Sequence, residues 1–155
     1  CIDPNSKMIE ESKKKLNGHH NIKWKVCSAE KINVQKETFD FYVISFGLRN
    51  TKNIEKTISE AYRVLKRGGR FLCLEFSKVQ NENLEQLYNN FSKIIPLIGK
   101  IIVGDDKPYK YLIQSIHDFI NQEKLLEIMK RNKFSNCSYK NLSGGIVSIH
   151  SGWKI

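Results

Sequence analysis

Three short segments carry residue types that could hold or act on a small molecule. The first is Asp3, which closes a Cys1-Ile2-Asp3 stretch that reads as the tail of a strand. In open α/β sheets ligands gather beyond the carboxyl ends of the strands, and an acidic side chain there can accept both hydroxyls of a ribose. Its alternative role is to cap the following helix, a task for which Asn5 and Ser6 are also available. The second segment is Cys27-Ser28-Ala29-Glu30, which beside a nucleoside would meet the base edge and by itself is an ordinary loop. The third is Ser45-Phe46-Gly47-Leu48-Arg49-Asn50. Gly47 lets a ligand approach the backbone, and Arg49 and Asn50 follow an apolar run with no packing reason to be polar; a plain surface loop is the alternative.

Other site chemistries lack their signatures. There is no Gly-x-Gly-x-x-Gly, no phosphate-binding Walker loop and no Gly-x-Ser-x-Gly elbow. Gly68-Gly69-Arg70 follows a helical pattern and precedes a strand, the wrong polarity for a phosphate cradle. His19, His20, His117 and His150 are not spaced as metal ligands, and Cys1, Cys27, Cys73 and Cys137 form no Cys-x-x-Cys. No metal is expected, and unpaired thiols suit a reducing cytosol.

The elements that must position these segments follow from periodicity. A polar helix runs from the Pro4-Asn5-Ser6 turn to about Leu16, closed by Asn17-Gly18, and residues 22–26 read as a short strand. Residues 39–46 (Phe-Asp-Phe-Tyr-Val-Ile-Ser-Phe) predict a strand buried on both faces. Ile54, Ile58, Ala61, Tyr62 and Leu65 make one stripe of a helix over 53–66, which Gly68-Gly69 should terminate. Residues 71–76 predict a second buried strand. Apolar residues from Leu84 to Ile98 continue at helical spacing and are interrupted by Pro96. Residues 104–107 read as a loop. Tyr111, Ile113, Ile116 and Phe119 suggest another helix, and residues 122–131 a further one. Residues 134–139 and 146–150 are closing strands joined through Ser143-Gly144-Gly145, a pair that could be antiparallel. Alternating strands and helices give an α/β class with a mainly parallel sheet.

The chain has 155 residues, 40% hydrophobic and 27% charged, the size of one globular domain or most of one. The apolar stretch 94–103 is too short to span a bilayer. The net charge of +10 raises the question of nucleic acid. Only Arg49, Arg63, Arg67, Arg70 and Arg131 are arginines, and the chain is rich in Lys, Asn and Ile. That pattern reads as compositional bias, so no nucleic-acid partner is expected. A lysine-rich surface would still favour anionic membranes.

Several segments together resemble one family. Asp3 to Met8 (Asp-Pro-Asn-Ser-Lys-Met), residues 39–50 ending in Ile-Ser-Phe-Gly-Leu-Arg-Asn, and residues 61–77 ending in Phe-Leu-Cys-Leu-Glu-Phe-Ser are similar to the ubiquinone/menaquinone biosynthesis C-methyltransferases, which use S-adenosylmethionine. Residues 109–119 and 141–154 extend the likeness over essentially the whole chain. The resemblance implies a Rossmann-like class I methyltransferase sheet in the order 3-2-1-4-5-7-6, with strand 7 antiparallel. Strand 1 and its Gly-rich loop would then precede Cys1, so residues 1–155 are expected to form a single partial domain lacking its N-terminal part and inactive alone.

By the same likeness Asp3 would bind the cofactor ribose, Ser28 and Ala29 would flank the adenine, and Ser45 would line the pocket. Most relatives have Asp or Asn where Ser28 stands, and Pro where Ile120 stands. The implied reaction is methyl transfer to a ring carbon of a polyprenyl benzoquinol or naphthoquinol. A ring carbon becomes a competent nucleophile when a neighbouring phenol loses its proton. Arg49 cannot act as a base, because it keeps its charge. It would stabilise the phenolate, and Asn50 would orient the ring oxygen. Water, Asp118, His150 or a residue outside this chain remain open as the base. Residues 84–103 could line a groove for the tail or rest against a membrane, so the expected location is cytoplasmic with peripheral membrane contact. A homodimer is an open alternative. So are another small aromatic acceptor and a non-catalytic binding domain.

Overall fold

The computed structural model describes residues 1–80, 85–86 and 104–155. The reading of 84–103 as a tail-binding helical segment therefore lies outside the described residues. The described elements are β1 (Ile2–Asp3), α1 (Ser6–Lys15), β2 (Lys25–Val26), β3 (Phe39–Ser45), α2 (Ile54–Val64), β4 (Leu65–Phe76), α3 (Lys107–Asp118), α4 (Gln122–Arg131), β5 (Ser135–Leu142) and β6 (Val147–Trp153). Single 3₁₀ turns occupy Leu48–Asn50 and Ser143–Gly145.

The strands form two sheets. β1 and β2 pair in parallel, and the other four lie in the order β3-β4-β6-β5. β3 and β4 are parallel, while β6 runs antiparallel to both of its neighbours. This is the α/β arrangement expected, with the expected antiparallel strand. The described strands do not join into one continuous sheet.

Asparagine starts three helices. Asn5, Asn53 and Asn121 each accept a backbone N–H from the first turn, from Lys7, Lys56 and Lys124, at 2.8 to 3.0 Å. Each such cap contributes about 1 kcal/mol. α2 and α4 pack on one face of the larger sheet and on each other. Ile58, Ala61 and Val64 of α2 meet Leu125, Ile128 and Met129 of α4 around Phe71 and Cys73. Burial pushes the Cys73 thiol's pKa well above its ordinary value, which leaves it an apolar packing group.

Two expectations need correction. α2 ends at Val64, not at the glycines: Leu65 is already extended, fully buried and paired with Phe39. The ladder then shifts register, and residues 66–69 bulge before pairing resumes at Arg70. Gly68 supplies a left-handed backbone (φ 77°) in this bulge, and Gly69 supplies room. A Cβ on Gly69 would stand 2.8 Å from the Lys66 carbonyl oxygen. The second correction is β3, which is not buried on both faces. Tyr42 and Ile44 face the core, but Phe41 and Val43 are 62% and 66% exposed. Among the described residues β3 is an edge strand paired with β4 alone. β4 comes closer to burial on both faces, alternating buried Phe71, Cys73 and Glu75 with half-buried Leu72, Leu74 and Phe76.

Candidate active site

The predicted residues fall on one rim. Asp3 ends β1, the 27–30 loop follows β2, and the 45–50 turn follows β3, so all three lie beyond the carboxyl ends of parallel strands. The Cys27 N–H donates to the Asp3 carbonyl at 3.2 Å, fixing the second segment beside the first. Glu30 ties the loop to the start of α2, accepting the N–H groups of Lys52 (2.7 Å) and Asn53 (3.2 Å).

At Asp3 the oxygen Oδ1 accepts the Asn5 N–H at 2.7 Å. Asp3 thus shapes the turn while Asn5, not Asp3, caps α1. Among the described residues Oδ2 has no hydrogen-bond partner and is free to accept a hydroxyl. Ser28 differs from expectation in its bonding. Its hydroxyl donates to Glu30, so its proton is committed within the loop. Ala29 is half-buried, and Ser45 is exposed at the end of β3.

The third segment is held by a buried ion pair that sequence reasoning missed. Arg49 Nη1 lies 2.7 Å from Glu75 Oε1, with side chains only 8% and 1% exposed. Glu75 Oε2 accepts the Arg49 N–H at 3.2 Å, and Oε1 also accepts the Phe76 N–H at 2.9 Å. Arg49 Nη1 donates to the Phe46 carbonyl at 2.6 Å and Nε to the Ser115 hydroxyl at 3.3 Å. The guanidinium also lies over the Phe76 ring. One side chain therefore joins the β3 turn, β4 and α3. Among the described residues its Nη2 has no hydrogen-bond partner.

Phe46 is strained, with φ at 51°, and stacks on Phe76 at 4.9 Å between ring centres. Non-glycine residues in that region concentrate at functional sites. Gly47, by contrast, has φ −118°, open to any residue. Asn50 Oδ1 accepts the Tyr111 hydroxyl at 3.0 Å, which directs the Asn50 amide from α3.

Arg49 borders a pocket of about 270 Å³ with Ile54, Tyr111, Gln114, Ser115, Asp118 and Phe119. Both Asp118 oxygens accept from the Gln114 amide at 2.9 Å, and Oδ1 also lies 3.2 Å from His117 Nδ1. Hydrogen bonds from Gln114 and then His117 hold its carboxyl below the usual carboxylate range. His150 is elsewhere. It is buried in β6 against Tyr139, its Nε2 donating to the Gln122 carbonyl at 3.0 Å and Ser148 Oγ lying 3.4 Å from Nδ1. Burial pushes its imidazole pKa down. It is a satisfied neutral core group and borders no part of the pocket. The sequence did signal Glu75: a lone carboxylate inside Phe-Leu-Cys-Leu-Glu-Phe must find a cation when that strand is buried. Tyr111 and Ser115 stand 61 and 66 residues from their partners, and nothing local announces them.

Comparison with known proteins places the chain in a family and a fold. The model of the ubiE/COQ5 methyltransferase family matches residues 1–154. Two curated relatives carry the name ubiquinone/menaquinone biosynthesis C-methyltransferase. That of Rickettsia akari is 46% identical and that of Rickettsia prowazekii 47%, each over 99% of this chain and 63% of its own length. The mitochondrial 2-methoxy-6-polyprenyl-1,4-benzoquinol methylase of Gallus gallus is 44% identical over 99% of this chain and 50% of its own length. The chain thus spans less than two thirds of these relatives. Among solved structures, a SAM-dependent methyltransferase of Thermotoga maritima superposes with a TM-score of 0.71 at 19% identity, covering 99% of this chain and 72% of that one. The methyltransferase domain of a citrinin polyketide synthase gives 0.70 at 12%, covering 99% of this chain and 38% of that one. These two likenesses speak for the fold, a class I methyltransferase sheet with flanking helices, and the sequence match speaks for the lineage: the chain belongs to the ubiE/COQ5 methyltransferase family.

Proposed function

We propose that this chain belongs to an S-adenosylmethionine-dependent C-methyltransferase whose acceptor is the ring of a polyprenyl benzoquinol or naphthoquinol. The observation that carries the reading is the Arg49–Asn50 turn, clamped at the end of β3 and bordering a pocket roofed by α3. Asp3 suits a ribose, since one carboxylate oxygen is without a protein partner. Ala29 offers an apolar contact to an adenine, and Ser45 stands at the carboxyl end of β3. When bound, the cofactor supplies an electrophilic methyl group on a sulfonium.

The chain's own residues would serve the acceptor. Because Glu75 already offsets its charge, Arg49 stabilises a phenolate by hydrogen bonds from Nη2 more than by net charge. Asn50, directed by Tyr111, orients the ring oxygen. Of the two candidate bases in this chain, only Asp118 borders the pocket. Its low proton affinity suits a group that positions a water to take the phenol proton, not one that keeps the proton itself. Among the described residues no helix is long and apolar enough to cross a membrane. A cytoplasmic enzyme meeting its lipid-tailed acceptor by peripheral contact fits that observation.

The test is methyl transfer by the whole polypeptide that the gene encodes. It is incubated with S-adenosylmethionine and, separately, with a polyprenyl methoxybenzoquinol and a polyprenyl naphthoquinol. A mass gain of one methylene unit on the ring supports the proposal. Cofactor binding without methylation of either quinol would replace it with another acceptor.

A further inference from the structure

A second pocket, of about 400 Å³, opens at the other end of the sheet, beside the residues that lead into β3. Its walls are the last turns of α2, the end of α4 and Lys154 at the end of β6. Five cations line it (Lys36, Arg63, Arg131, Lys133 and Lys154) against one carboxylate, Glu60.

Two of the five are structural. Arg63 gives Nε and Nη2 to Glu60 at 2.7 and 2.8 Å and donates to the Val34 and Ile32 carbonyls. Lys154 is buried, donating to the Tyr62 and Leu65 carbonyls at 3.0 and 2.8 Å with Glu37 at 3.4 Å. Each is matched by a carboxylate, so together they make a fixed, charge-balanced floor. The other three form the rim, and among the described residues only Arg131 of them has a carboxylate partner. Among the described residues Lys36 and Lys133 form no ion pair. Arg131 meets Glu55 only at 3.5 Å, with both side chains more than half exposed.

Lys133 carries an independent sign. It follows α4 with φ at 69°, its N–H bonded to the Lys130 carbonyl and the Phe134 N–H to that of Met129. This is the left-handed position that closes a helix and that glycine normally fills. A lysine there holds a backbone conformation that L side chains disfavour. Lysine point charges and an arginine fork around a small basin suit phosphate oxygens.

We propose that this pocket binds a phosphate-bearing anion of about the size of a diphosphate, gripped by Lys36, Arg131 and Lys133 over the fixed Arg63–Lys154 floor. The site is separate from the pocket at Arg49 and does not depend on the methyl-transfer reading. The probe is inorganic pyrophosphate, titrated calorimetrically into the whole polypeptide that the gene encodes at low ionic strength. One saturable site is expected, weakened about tenfold by Lys36→Ala and by Lys133→Gly. Lys13→Ala, on the exposed face of α1, leaves it unchanged. Lys133→Gly should at the same time raise the melting temperature, because it relieves the backbone. Opposite signs for binding and stability are what a purely structural lysine would not produce.

Vesicles distinguish the source of the phosphate. Sedimentation with phosphatidic acid vesicles but not phosphatidylcholine vesicles, reversed by pyrophosphate, assigns the group to a lipid headgroup. Pyrophosphate binding without sedimentation assigns it to a free solute. No saturable pyrophosphate binding, or binding indifferent to Lys36→Ala and Lys133→Gly, overturns the proposal.

Discussion

Removing one partner of the Arg49–Glu75 pair should be among the most damaging single changes in the protein. Arg49→Ala leaves the Glu75 carboxylate, 1% exposed, with only two backbone N–H donors, of which one belongs to residue 49 itself. Stranding a buried charge in this way costs about 3–5 kcal/mol. For a domain of this length that lowers the melting temperature by on the order of 10 °C. Arg49→Lys keeps a charge near Glu75 but cannot also reach the Phe46 carbonyl and Ser115, so its loss should be intermediate. The double variant Arg49→Met/Glu75→Leu removes both charges. It should lie within about 2 kcal/mol of the parent, since apolar replacements of buried pairs are often near neutral. Urea unfolding of the parent, Arg49→Met, Glu75→Leu and the double variant gives the coupling energy, with Arg49→Ala and Arg49→Lys unfolded beside them. A loss under about 1 kcal/mol for Arg49→Ala, or additive single effects, would mean that the pair is not the clamp the distances describe.

Three further outcomes follow from local geometry. In the whole polypeptide, Asp3→Ala should weaken S-adenosylmethionine at least about tenfold, the worth of one or two charge-assisted hydrogen bonds; unchanged affinity in a calorimetric titration makes Asp3 a turn residue only. His150 has a pKa pushed down by burial, so the folded state favours its neutral form. Its stabilising effect is intact above the ordinary histidine value and is lost as pH falls below it, at up to about 1.4 kcal/mol per pH unit; a His150→Gln variant should show a flatter stability profile between pH 7 and 5, and an identical slope would refute the assignment. Gly69→Ala should destabilise more than Gly68→Ala. The first drives a Cβ to 2.8 Å from a carbonyl oxygen, while the second meets nothing within 4 Å and bears only the positive-φ penalty, about 1 kcal/mol; thermal melts that reverse the order would contradict the bulge.

The helices were legible because their determinants are local. The cap candidate Asn5 and the apolar stripes of α2 and α4 lie within a few residues of what they specify; the caps at Asn53 and Asn121 are just as local but were not singled out. The strands were legible in position but not in surroundings. Residues 39–46 read as buried on both faces because Phe41 and Val43 are apolar, yet whether an apolar face is covered depends on what pairs beyond it. At Gly68-Gly69 a turn signal was recognised but assigned to the wrong event. The helix ends earlier because Leu65 gains more by pairing with Phe39 in the buried sheet than by one more helical turn.

The site was legible as positions and not as bonds. Asp3, Ser28 and Arg49 each stand where a strand-end rule puts them, and each makes a contact that the rule does not contain. Ser28 turns to Glu30, Asp3 to Asn5, and Arg49 to Glu75, 26 residues away. The last contact changes the chemistry most. An unpaired Arg49 would attract any anion, and would be free to swing. A paired, riveted Arg49 presents one nitrogen in one place, so under the proposed function it would discriminate by geometry. Preorganised donors that need not reorient as charge develops are the ones that favour a transition state over a ground state. The carboxylate that weakens the net charge of Arg49 is thus the group that fixes its direction, and Ser115 extends the same constraint to α3 and the wall of the pocket.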